Sequence, residues 1–134
     1  MPHVVIEGSV DLLAYAREFE ALVVRRHEDV LRADEIFVER GGRVALVSAL
    51  AIESGRKLPF YVKISVHDRG STTIRIDPRT HPERSDGVRE IVARIGADLL
   101  RKTPDAQLGV TNLVLPSSDD RSKDSSEDRS GGSA

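Results

Sequence analysis

Apolar residues recur along the first 116 positions at two spacings, and each spacing predicts an element. His3-Val4-Val5-Ile6-Glu7 is a short β-branched run stopped by Gly8, which predicts a strand. Leu12, Ala16, Phe19 and Val23 follow at steps of four, three and four, while Arg17, Glu18, Arg25 and Glu28 lie elsewhere. That is the stripe of an amphipathic helix, with Ser9 or Asp11 as its cap. After Leu31, residues 36–39 and 43–52 read as extended segments parted by Gly41-Gly42, a pair suited to a turn with positive φ. Val44-Ala45-Leu46-Val47 is the candidate buried strand among them. A break at Glu53-Ser54-Gly55-Arg56 precedes residues 60–66, where Phe60, Val62, Ile64 and Val66 alternate with Tyr61, Lys63 and Ser65. Period two there predicts a strand with one face in the core.

Residues 68–86 contain Gly70, Pro78 and Pro82 and read as irregular, with a short strand over 73–76. Ser85 or Asp86 then caps a second amphipathic helix built on Val88, Ile91, Val92, Ile95 and Leu99, with Arg101-Lys102 at its negative dipole end. Thr103-Pro104-Asp105 stops it, and residues 108–115 form a last strand closed by Pro116. The predicted order is β-α-β-β-β-α-β, a strand-helix-strand unit written twice with hairpin material between. A helix crossover joins parallel strands, so the expected fold is α/β (α+β): a mixed four- to six-stranded sheet with both helices on one face.

Composition then sets the boundaries. Residues 117–134 read SSDDRSKDSSEDRSGGSA, with nothing to bury, and are expected to be a disordered polar tail after one domain at 1–116. The tail's five acids and three bases carry the chain's whole net charge of -2, leaving the domain formally neutral. A neutral domain with five aromatic residues argues against nucleic acid as a partner. Absence of cysteine excludes disulfides and thiolate ligands. No export signal and no membrane-length apolar run is visible, so a soluble, cytoplasmic protein is expected, with no membrane partner. His3, His27, His67 and His81 show no ligand spacing, so a metal site is not expected.

Candidate chemistry begins at Met1-Pro2. An initiator methionine before proline is normally removed, which leaves a secondary amine at the edge of a strand. An α-amino group has a reference pKa of about 7.7 to 8.0, and an apolar pocket lowers it further by disfavouring the charged form. Such a base suits proton abstraction beside a carbonyl. The polar group Asp77, His81, Glu83 and Asp86 reads instead as a solvated loop.

MPHVVIE at the N-terminus, an early helix, a strand region holding Arg40 and Arg43, and then strand, helix and strand resemble the tautomerase superfamily, in its 5-carboxymethyl-2-hydroxymuconate isomerase branch. The residue-level likeness lies over Pro2 to Glu7, the topological one over roughly residues 2–115. The resemblance implies a duplicated β-α-β subunit, a homotrimer and an N-terminal proline at the floor of a pocket near a subunit boundary. It places Pro2 as proton shuttle, with Arg43, Arg40 and Arg69 as the substrate-binding arginines. A guanidinium there would bind a carboxylate bidentately and stabilise a dienolate. Residues 71–86 are longer than that family's pattern.

The expected function is therefore a cofactor-independent tautomerase or isomerase of aromatic catabolism, moving a proton in a small carboxylate-bearing enol or unsaturated keto acid. The alternative is a non-enzymatic homo-oligomeric module, tautomerase-like or ferredoxin-like, that binds a ligand or a partner through its sheet edges.

Overall fold

Leu22–Arg26 is a strand, and its presence changes the architecture from the one the spacing predicts. The computed structural model describes residues 1–116, so the expected polar tail lies outside the described residues. After β1 (His3–Glu7), the carboxylate of Asp11 caps the backbone N–H of Ala14 and opens α1, which runs only over Leu12–Glu18. Phe19 turns extended at ψ 129, and the β-branched run after it becomes β2 (Leu22–Arg26). Leu22 and Val24 point inward and Val23 outward, so the step from Phe19 to Val23 that mimicked a helix is half strand alternation. β2 pairs with β3 (Asp29–Val38) through a two-residue loop, His27-Glu28, whose first residue sits at φ 54.

Three more hairpins follow, to β4 (Val44–Glu53), β5 (Arg56–Val66) and β6 (Ser71–Ile76). α2 (Asp86–Lys102) then leads to β7 (Gln107–Thr111). The seven strands form one sheet in the order β2-β3-β4-β5-β6-β1-β7, curled into a half-barrel. Every neighbouring pair is antiparallel. This overturns the duplicated tautomerase-like β-α-β and its mixed sheet. The physical reason is the short α1: it delivers the chain to the far edge, and tight hairpins, which join only antiparallel strands, walk it back to β1. β6 and β7 do run parallel through α2, but β1 lies between them.

α2 packs against β1, β3, β4 and β6, a span that the curl of the sheet permits. Its Val88, Ile91, Val92, Ile95 and Leu99 are buried with Val4, Ile6, Val47, Val62, Ile64 and Ile74 of the sheet. Ser85 accepts from Val88 N–H as the N-cap, and its hydroxyl donates to Glu53, whose carboxylate also receives Gly87 N–H at 3.3 Å. Gly96 lets the helix approach β1: a Cβ there would stand 2.9 Å from Val4 Cγ2. β7 ends at Thr111, short of the expected residue 115, because its hydroxyl donates to His3 O and accepts from Leu113 N–H, turning the chain away. Leu113 and Leu115 then pack on the core. No helix among the described residues is long and apolar enough to cross a membrane.

Candidate ligand-binding face

The four residues singled out by resemblance are divided between the two ends of the sheet. Arg40 and Arg43 belong to the β3–β4 turn and Arg69 to the β5–β6 turn, and both turns lie where β1 finishes, as the Gly8 N–H bond to Gly70 O shows. Pro2 is at the start of β1, buried. Arg43 is in register with Val66, Thr72 and Ile6, three strands away from β1 and four residues from Pro2. With about 3.3 Å per residue and 4.8 Å per strand, the two stand roughly 20 Å apart in one chain. The Arg43 guanidinium donates to Val66 O at 3.2 Å and pairs with Asp68. Its own N–H helps Gly41 hold the Glu39 carboxyl below the usual carboxylate range. The three arginines are brought near one another; none is brought to Pro2.

Around the N-terminus a different set gathers. Met1 lines a cleft with Ile76, Pro78, Thr80, His81, Pro82 and Arg84. Its carbonyl accepts from His3 Nδ1 at 3.0 Å and from Asn112 Nδ2 at 2.8 Å, which pins the first residue to the end of β7.

The face of the sheet opposite α2 carries the most developed arrangement. Strand alternation puts Val47, Val62 and Ile74 against the helix and sends their neighbours to the other side. Register then aligns a row across five strands: Phe37 opposite Leu46, Leu46 opposite Lys63, Lys63 opposite Arg75, and Arg75 opposite His3. The next row of that face is Val44, Ser65, Thr73 and Val5. Like charges directly opposite in an antiparallel pair destabilise it, which makes Lys63 and Arg75 a costly placement. Both are half-buried, and neither makes a hydrogen bond or ion pair among the described residues, where the other unpaired arginines and lysines are exposed.

Beside this row lies a cleft of about 590 Å³ lined by Phe37, Glu39, Val44, Leu46, Lys63 and residues 77–79, among others. Its far wall is stiff. Asp77 N–H extends the β5 pairing by donating to Tyr61 O at 2.7 Å, and Thr80 donates to Asp77 O through both its N–H and its hydroxyl. The Asp77 carboxylate is buried and receives Arg79 Nε at 3.2 Å. Phe37, 52% exposed, forms the opposite wall with Leu46. The volume is in the range of small-molecule pockets, about 300 to 1,000 Å³, and an aromatic wall with a few fixed polar groups is the usual make-up of such sites.

Sequence periodicity marked Lys63 only as a polar alternate and passed over Arg75 and Phe37. Alternation within each strand could have put each on a solvent face, but which residues meet depends on register between strands. Among the described residues no group of three or more His, Asp or Glu side chains could hold a metal ion. Compared with known proteins, the chain matches no family model, no curated protein and no solved structure.

Proposed function

We propose that this chain is a binding module whose working surface is the open face of its sheet, where the cleft beside Phe37 takes a small molecule with a largely apolar body. The carrying observation is the pairing of exposed Phe37 with Leu46 on a sheet face that no helix among the described residues covers, walled by residues 77–79. Burying an aromatic side chain against a ligand gives a large favourable contact area, and the braced wall limits the ordering cost of binding. A ligand that binds the folded state alone raises the unfolding temperature. Thermal unfolding against a panel of small aromatic and aliphatic compounds is expected to find stabilising ones whose effect falls sharply in Phe37→Ser. No stabilising compound, or the same shift in Phe37→Ser, would sink the assignment.

A second reading retains proton transfer at Pro2 and changes its arginine. Met1, which precedes Pro2, lines the cleft that holds His81 and Arg84, and on this reading removal of Met1 frees the Pro2 nitrogen beside that cleft. Intact mass decides the first step. Ketonisation of 2-hydroxymuconate-type enols by the Met1-free chain, abolished in Arg84→Gln and absent when Met1 is retained, is the expected result; equal rates in all three forms exclude it.

A further inference from the structure

Resting on the cleft reading above, we infer that Lys63 and Arg75 form an anion site that holds a carboxylate or phosphate group of the ligand. The two side chains face each other across β5 and β6, half-buried, and no acid among the described residues pairs with either. Burial thins the water that would otherwise screen their repulsion, so the pair gains most from an anion placed between them. Two acids, Asp77 and Glu39, line the cleft with Lys63: the Asp77 carboxylate is occupied by Arg79, and that of Glu39 accepts the backbone N–H of Arg43 and of Gly41. The remaining neighbours are compatible with a negative group. Leu46 and His3 flank the pair at either end of its row, and His3 Nδ1 is committed to Met1 O, leaving Nε2 as the free ring nitrogen. Ser65 and Thr73, opposite each other one step along the same strands, bring hydroxyls to the same side; that of Thr73 also contacts His67 Nε2 at 2.9 Å. The guanidinium fork of Arg75 can take two oxygens and the ammonium of Lys63 a third. Lys63 also lines the Phe37 cleft, so a ligand with an apolar body in the cleft would present its acid at this pair.

The test is an amide NMR titration of the full chain with inorganic phosphate, with 3-phenylpropionate and with uncharged 3-phenylpropionamide. Phosphate is expected to shift the amides of Lys63, Ser65, Thr73 and Arg75, and 3-phenylpropionate to shift these together with Phe37 and Leu46. Affinity for both anions should fall about tenfold or more in Lys63→Gln and in Arg75→Gln, the loss of one charged contact, and stay unchanged in Lys57→Gln, an exposed site on the same strand. Both Gln variants should unfold at or above the wild-type temperature, because the repulsion is gone. Equal affinity in wild type and both variants, or phosphate shifts scattered over the surface, overturns the inference. Shifts of Phe37 and Leu46 with the amide but none at Lys63 and Arg75 with any anion would remove the anion site and leave the cleft reading standing. Anion binding at Lys63 and Arg75 with Phe37 silent throughout would do the reverse.

Discussion

Tyr15 of α1 donates its phenolic hydrogen to Asp98 Oδ2 of α2 at 2.7 Å, a buried contact between residues 83 positions apart. Lys102 Nζ lies 3.3 Å from the same oxygen and 5.8 Å from the Tyr15 ring centroid, and Arg101 pairs with Oδ1. A seven-residue helix is too short to persist alone, so this contact and the burial of Leu12 and Tyr15 are what fix α1 in place. Tyr15→Phe keeps the ring and removes the donor. It is expected to cost about 1–3 kcal/mol, the penalty for a buried charged acceptor losing a partner, seen as a lower urea midpoint at unchanged slope. A midpoint equal to wild type would show that the other partners of Asp98 satisfy it without Tyr15.

Gly96 is where α2 comes closest to β1. Alanine would gain about 1 kcal/mol of helix propensity but bring a methyl group to 2.9 Å from Val4 Cγ2. In a packed core the overlap wins, and Gly96→Ala is expected to destabilise by about 1–3 kcal/mol. In Gly96→Ala/Val4→Ala the two costs should sum to less than their separate values, because removing Val4's methyl groups makes room. Strict additivity in the double variant would show that the two sites do not touch.

Thr72 is fully buried, and its hydroxyl finds no hydrogen-bond partner among the described residues. Thr72→Val keeps the β-branched shape and removes an unsatisfied polar atom, so it is expected to stabilise by about 1 kcal/mol, read from thermal or urea unfolding. A loss of stability would reveal a partner for that oxygen.

Glu90 carries a pH signature. Desolvation raises its pKa, but the bidentate bond from Arg26 and that from Arg94 Nε at 2.7 Å outweigh it and hold the carboxyl below its usual range. A depressed folded-state pKa means that the stabilisation is complete above the unfolded value of about 4.3 and disappears as pH falls through the folded one. Urea midpoints between pH 3 and 7 should therefore drop steeply at the acid end, and less steeply in Glu90→Gln. Parallel acid limbs in the two proteins would remove Glu90 from the account.

The elements defined by their own residues were legible from the start. β1, the alternation of Phe60 to Val66, and the second helix with its Ser85 cap all occur where the spacing puts them. The 22–31 hairpin was not, because Val23 falls at a helical step from Phe19 while the β-branched pair Val23-Val24 favours a strand. That single substitution of strand for helix converts a parallel crossover into an antiparallel meander. The arginines were read from resemblance, and the hairpins gather Arg40, Arg43 and Arg69 at the end of the sheet away from Pro2.

Sequence by itself determined most of the strands, the capped second helix, the neutral charge of residues 1–116 and the polar composition of residues 117–134, since each depends on neighbours a few residues away. Only tertiary structure decided that Lys63 faces Arg75, that Phe37 lies beside Leu46 and that Gly96 meets Val4. Those meetings depend on strand register and on how far the sheet curls around α2. A shift of one residue in register turns every side chain of a strand to the other face, and no local pattern encodes that choice between strands.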